Sequence, residues 1–230
     1  MKHHFLKAAL ALSLTFGMTS VSFAEEAKKA PAKKDAMATY MDVVKKMQFK
    51  TGGWQKNTFM GSIGADAKKQ MIQSMMAMSP IGMREIINMM SVKVKVNDGI
   101  SFDDVIESMK TRANSVNMKQ VGHNVPYKLI RQLEGHEKSP RLEILSFCDM
   151  LTMRKIVDVM PEFVVFLPCR ITVLEDAQGK IWITTMDWSV DWLKSKDGKT
   201  KFLDAEMVKY ATKVNVAIKS IMQAGQEGDF

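Results

Sequence analysis

The chain contains few of the residues that most often carry chemistry in proteins. Its 230 residues include only 2 cysteines and 4 histidines, and two of these histidines, His3 and His4, lie at the very start. The sequence has no serine nucleophile elbow, no glycine-rich phosphate loop and no paired carboxylates at catalytic spacing. Its cysteines stand 21 residues apart, so the C-x-x-C spacing of thioredoxin-like proteins is absent as well. We therefore do not expect a conventional catalytic site.

Long apolar runs are also missing. The first 24 residues combine a charged start, a short apolar core at 10–16 and small residues at Ser22 and Ala24, the pattern of a cleavable secretory signal. That core is too short to span a bilayer. Removal of the signal takes away Lys2 and Lys7 and no acid, so the formal charge falls from +8 to +6. We expect a soluble protein exported to the bacterial periplasm.

The basic residues do not form a nucleic-acid-binding pattern. The lysines are scattered, and no arginine-rich stripe or row of stacking aromatics accompanies them. A modest positive charge suits anionic partners, among them an anionic membrane surface. The expected partners are such a surface, a periplasmic protein or a second copy of the chain in a homodimer, and nucleic acid is not expected.

Methionine is the residue in excess, with 21 copies. Met75, Met76 and Met78 match the spacing of thioether copper(I) sites, because soft sulfur ligands select that ion. Met71, Met75 and Met78 also fall on one face of a helix, which is typical of core packing or of an adaptable partner-binding face. The periodicity favours packing or partner contact over a metal.

Composition and periodicity divide the chain into four parts. Residues 1–24 are the signal, 25–36 a flexible linker, 37–90 a Met-rich helical extension and 91–224 an α+β domain that ends in an amphipathic helix. The apolar face expected for the first helix of the extension consists of Met37, Met41, Val44 and Met47.

From Ser91 onward the apolar residues alternate, and the pattern predicts strands. Val92, Val94 and Val96 mark the first strand, and Ser101 with Asp104 resembles a capping box for the helix that follows. Further strands are predicted at 118–125, 142–147, 163–167, 170–174 and 181–186, with helices at 149–160 and 203–225. This order predicts an α+β fold, with a single mainly antiparallel sheet and helices on one face.

Three motifs in this region resemble a known family. They are Cys148-Asp149, Leu167-Pro168-Cys169-Arg170 and Glu175-Asp176-Ala177-Gln178-Gly179-Lys180. With the surrounding residues 91–192 they resemble the bacterial domain of unknown function 302 family, and most of all its exported, Met-rich proteobacterial members. The resemblance implies a small, often dimeric domain similar to the TATA-binding-protein-like class, with no established activity. Those members often read Met-Asn-Met-Asp-Met-Met where this chain reads MDWSVDW from Met186, so no role of those methionines carries over.

The two cysteines allow three interpretations. Cys148 opens a predicted helix, whose dipole favours a thiolate, and Arg170 beside Cys169 favours one there. A structural disulfide or two buried thiols is the interpretation that an oxidising compartment favours. A ligand site for a soft metal, a haem or a sulfur compound, with Asp149 and Arg170 close by, is the second. A redox-active pair is the third.

Histidine and tryptophan add weaker candidates. His123 and His136 are the only histidines after the signal, and each is more typical of a packed or solvated side chain than of a ligand. His123 is nevertheless kept with Cys148 and Cys169 as a candidate metal ligand. Trp188 and Trp192, four residues apart, suit the roof of an apolar pocket or a dimer seam.

The leading hypothesis is an exported, non-enzymatic binding protein with a soft-metal, haem or sulfur-compound site near the two cysteines, and the candidate cofactors are copper and haem. A thiol redox protein of sulfur metabolism is the second hypothesis. The third is an interaction protein with a structural disulfide and a Met-rich docking face.

Overall fold

The computed structural model describes residues 33–46, 57–135, 139–194, 200 and 203–230. The predicted signal, most of the linker, Met47 and His136 lie outside the described residues. Within those ranges, every helix is too short or too polar to cross a membrane.

The chain divides into two units, and the first is a helical hairpin. It consists of α1 (Lys33–Lys46) and α2 (Ala65–Met78). Its buried residues are Ala36, Val43 and Ser74. The apolar face predicted from Met37 and Met41 is largely exposed, because their side chains are 51% and 44% exposed. The buried face instead runs through Ala36 and Val43, seven residues or about two turns apart, and small residues such as Ala36 and Ser74 allow close helix packing.

The second unit contains the sheet. Its strands are β1 (Ser91–Lys95), β2 (Lys119–Asn124), β3 (Leu142–Cys148), β4 (Cys169–Glu175) and β5 (Ile181–Met186). All four pairings are antiparallel, and the strand order is β1-β5-β4-β3-β2. Its helices are α3 (Met83–Met89), α4 (Phe102–Ser115), α5 (Pro126–Glu134), α6 (Met150–Val159) and α7 (Ala205–Glu227). The predicted α+β architecture with one antiparallel sheet is confirmed.

One hydrophobic core joins the sheet to α4 and α7. Its sheet residues include Leu145, Phe147, Ile171, Val173 and Ile183, and its helix residues include Val105, Met109, Ile218 and Ile221. Gly225 of α7 is required by this packing, since a Cβ there would lie 2.6 Å from Met109 Cγ and 2.9 Å from Ile183 Cδ1. The core fixes the ends of β3 and β4, where the cysteines lie.

Local sequence signals explain where three of the helices begin. Ser101 Oγ accepts the Asp104 N–H and the Asp104 carboxylate accepts the Ser101 N–H, so the predicted capping box is present. Asp149 caps α6 and Asp204 caps α7 in a similar way. The strand predicted at 163–167 is wrong, because Pro161–Phe166 forms a 3-10 helix. A proline at the first helical position suits a helical start, and a short apolar run does not distinguish strand from helix.

Candidate functional site: a chamber of thiols and thioethers

The two cysteines lie at the same end of neighbouring strands. Cys148 is the last residue of β3 and Cys169 is the first of β4, and Phe147 pairs with Cys169 in the register. Both side chains are buried and both are free thiols. β3 and β4 are antiparallel neighbours, and α6 and the 3-10 helix form the connection between them. This connection brings together two cysteines that are 21 positions apart in the sequence.

Both thiols line one small cavity, which we call the cysteine chamber. Its volume is about 40 Å³. The residues that line it are Met118, Cys148, Asp149, Met153, Ile156, Phe163, Leu167, Cys169, Trp188, Ala211 and Val214. A water molecule takes up about 30 Å³ of the liquid, and drug-sized ligands occupy roughly 300–1,000 Å³. The chamber is therefore of a size to hold a single ion or a very small molecule.

Sulfur atoms are concentrated at this chamber. Cys148 Sγ lies 3.4 Å from Met153 Sδ, and Met153 follows the N-cap Asp149 by four residues on α6. Met118, which is fully buried before β2, contributes a second thioether side chain. Within the described residues no three His, Cys, Asp or Glu side chains form a metal-binding group. The sulfur closest to Cys148 in the chamber lining is the Met153 thioether.

Burial controls the charge of the thiols. It raises the pKa of Cys169 to about 12, with a further contribution from nearby Cys148. Burial also raises the pKa of Cys148, and the negative charge of Asp149 adds to the effect. Neither the helix terminus nor Arg170 lowers these pKa values below their ordinary level, because Arg170 is exposed and its favourable effect on Cys169 is smaller than the cost of burial. Both thiols are protonated at neutral pH.

Asp149, in contrast, carries a stable charge at the wall of the chamber. Burial acts to raise its pKa, but the Lys213 ammonium and the N–H and hydroxyl of Thr152 outweigh it, so the pKa lies below the ordinary value. Lys213 Nζ lies 2.5 Å from Asp149 Oδ2. Thr152 N–H donates to Oδ1 at 3.1 Å and Thr152 Oγ1 donates to Oδ2 at 2.9 Å. The carboxylate is therefore held by α6 and α7 together.

Trp188 also lines the chamber, and its indole packs edge-on against Phe163 with the ring centroids 6.2 Å apart. Its Nε1–H is buried and has no hydrogen-bond partner among the described residues. Trp192 does not line the chamber and is 69% exposed. Of the two tryptophans, Trp188 is the one placed to roof this pocket.

The remaining predicted ligands are not at the chamber. His123 Nε2 lies 2.7 Å from Glu143 Oε2, and Glu143 Oε1 accepts two hydrogen bonds from Arg141. Met75, Met76 and Met78 belong to the helical hairpin, where Met75 and Met76 are about half exposed. Sequence reasoning did not find Met118 and Met153, since each is one of many methionines and only the tertiary contact distinguishes them.

Comparisons with known proteins point to one family and leave the site unassigned. The sequence model of the family described as "Domain of unknown function DUF302" matches residues 92–224. An uncharacterized protein of Aquifex aeolicus (strain VF5) is 28% identical over 84 residues, which are 36% of this chain and 51% of that protein. The chain thus spans about half the length of that relative. The crystal structure of an uncharacterized conserved protein DUF302 from Bacillus stearothermophilus matches 59% of this chain and 98% of its own, with 15% identity and a TM-score of 0.47.

Proposed function

The chain belongs to the DUF302 family, whose description names no activity, and we propose that it is an exported protein that binds one copper(I) ion in the cysteine chamber. Cys148 and Cys169 supply two thiolates, and Met153 supplies a thioether. The proposed export rests on the signal-like residues 1–24.

The observation that carries this proposal is the convergence of three sulfur side chains on one ion-sized cavity. Cys148 Sγ and Met153 Sδ are 3.4 Å apart, and Cys169 lines the same chamber of about 40 Å³. Thiolate and thioether ligands select copper(I) over harder ions, because both partners are polarisable. Most of the other side chains that line the chamber are apolar, which favours a low-charge ion over a strongly hydrated one.

Binding exchanges protons for the metal. Each thiol loses its proton as its sulfur bonds to the ion, so two thiolates and one copper(I) leave a net charge of −1 in the chamber. The unpartnered Trp188 N–H is a donor suited to a metal-bound sulfur. Lys213 balances the charge of Asp149, so the carboxylate does not add a second uncompensated negative charge.

The same features weigh against the other hypotheses. Thiol exchange needs an accessible cysteine with a thiolate near neutral pH, and burial raises the pKa of both cysteines here. A haem is many times larger than the chamber, so copper is the preferred cofactor of the two candidates. Free thiols rather than a disulfide also leave both sulfurs available as ligands.

A competition titration tests the proposal. The mature chain, reduced and kept without oxygen, is added to the copper(I) complex of bicinchoninate, and the loss of the chelate's visible absorbance is followed. We expect one copper per chain to be withdrawn from the chelator. Cys148→Ser and Cys169→Ser should each abolish this transfer, and Met153→Leu should weaken it about tenfold, a loss of ~1.4 kcal/mol.

The matched control is Met150→Leu, on the same helix but exposed and outside the chamber lining. It should leave the titration unchanged. Copper transfer that survives in both serine variants would place the site elsewhere, and no transfer to the native chain would reject copper(I) binding.

A further inference from the structure

A second, larger cavity lies between α6 and α7, and we call it the lysine groove. Its volume is about 420 Å³. It is lined by Leu151, Thr152, Lys155, Lys209, Tyr210 and Lys213. None of these residues lines the cysteine chamber. The volume falls in the range of roughly 300–1,000 Å³ that is usual for small-molecule sites.

Positive charge predominates in the lysine groove. Of its three lysines, Lys213 is paired with Asp149. Lys155 lies over the Tyr210 ring, with Nζ 5.3 Å from the centroid, and contact with Tyr210 raises the pKa of Lys155. Lys209 has no ion pair or hydrogen bond among the described residues, and no carboxylate lines the groove. Lys155 of α6 and Lys209 of α7 thus line the groove from two helices without a carboxylate in its lining.

The nearest acidic groups do not remove this excess. Asp149 lies behind Lys213 and is also held by Thr152. Glu206 accepts a hydrogen bond from the Tyr210 hydroxyl and also acts to raise the pKa of Lys155, the smallest of the contributions at that lysine. Like charges that share a cavity repel each other, and a bound anion relieves that repulsion.

The walls of the lysine groove are mostly apolar. Leu151 is 76% exposed and forms one wall, and the Tyr210 ring and the aliphatic stems of the lysines form the others. An inorganic anion gains nothing from such walls. We propose that the groove binds a small amphiphilic anion, with its carboxylate or phosphate head at Lys155 and Lys209 and its apolar body against Leu151 and Tyr210.

Calorimetric titration with octyl phosphate, below the concentration at which it forms micelles, tests this site. We expect one molecule to bind per chain, with an affinity that falls as salt is added. Lys155→Gln and Lys209→Gln keep the stems and remove the charges, and each should weaken binding about tenfold. Lys219→Gln is the matched control, because Lys219 is exposed on α7 and lies outside the groove.

Four results would overturn the proposal. If inorganic phosphate binds as well as octyl phosphate, the apolar walls do not contribute to binding. If uncharged octyl glucoside binds as well as octyl phosphate, the lysines do not contribute to binding. An equal loss of affinity for octyl phosphate in Lys219→Gln would indicate a general attraction to the positive charge of the protein. Binding to phosphatidylglycerol vesicles without binding to the soluble amphiphile indicates a membrane surface instead. Copper transfer is measured on the same variants, so failure here is separable from failure at the cysteine chamber.

Discussion

The indole N–H of Trp188 is buried at the chamber without a hydrogen-bond partner among the described residues. A buried donor without a partner costs about 1–3 kcal/mol, and the two thiols that line the same chamber are poor acceptors while protonated. A metal-bound thiolate is a much better acceptor. The orphan donor is therefore consistent with a chamber built for its charged, metal-bound state.

The unpartnered N–H of Trp188 predicts the effect of Trp188→Phe. The change keeps an aromatic ring against Phe163 and removes only the N–H, so we expect copper(I) affinity to fall about tenfold while the metal-free chain stays as stable or becomes slightly more stable. Chelator competition and urea unfolding measure the two quantities. Trp192→Phe, at an exposed position, is the control. An unchanged copper affinity in Trp188→Phe would show that the indole donates no bond to the site.

The thiols predict how copper binding depends on pH. The pKa of Cys169 is about 12 and the pKa of Cys148 is raised above its ordinary value of 9.0, so both carry protons between pH 6 and pH 8. Two protons then leave for each copper bound, and the association constant should rise about 100-fold per pH unit. Chelator competition at pH 6, 7 and 8 gives the slope. A slope near zero would mean that the cysteines are not the ligands.

At the scale of the element, the exposed methionines of the helical hairpin are not the residues that pack its two helices together. Met75 and Met76 are exposed, whereas Val43 is buried against the opposite helix. We expect Met75→Ser and Met76→Ser to change the free energy of unfolding by less than about 0.5 kcal/mol. Val43→Ala removes two buried methyl-sized groups and should cost about 1–2 kcal/mol. Thermal unfolding followed by circular dichroism tests the difference, and comparable losses in all three variants would assign the methionines to the core.

Most elements of the second unit were predictable because their signals are local. The alternation of Val92 and Val94, the Ser101–Asp104 capping box and the Asp176 hairpin each act within a few residues. The failures have the opposite character. The 3-10 helix Pro161–Phe166 has a short apolar run with no distinctive period, and the buried face of α1 depends on which helix packs against it.

The candidate site was harder to predict than the secondary structure, because several of its contacts join residues that are distant in the sequence. The two cysteines were found because the chain has only two, and their strand-end positions follow from local patterns. The Asp149–Lys213 ion pair joins residues 64 positions apart, and Met118, Met153 and Trp188 reach the chamber from three separate segments of the chain. No local pattern records such contacts. The raised pKa values of the thiols were not predictable for the same reason, because burial depends on the whole fold.

At the scale of the whole molecule, the chamber ties the ionisation of its thiols to folding. A cysteine that titrates at 9.0 when unfolded and at about 12 in the fold contributes stability that is complete below pH 9. That stability is lost as the pH rises toward 12, because the unfolded chain ionises first. The metal-free protein should therefore lose stability on the alkaline side through Cys169 in particular.

Urea unfolding of the native chain and of Cys169→Ser at pH 7 and pH 10.5 isolates this effect, since lysine titration is common to both. From pH 7 to pH 10.5, the free energy of unfolding of the native chain should fall relative to that of Cys169→Ser by an amount on the order of 2 kcal/mol. At a fixed excess of free copper(I), the slope of the free energy of unfolding against pH should change sign. The folded, copper-loaded state holds thiolates, so the unfolded chain binds more protons and stability rises with pH up to about 9. Only a metal held by the thiols reverses the slope, and an unchanged alkaline loss in the presence of copper would separate the chamber from metal binding.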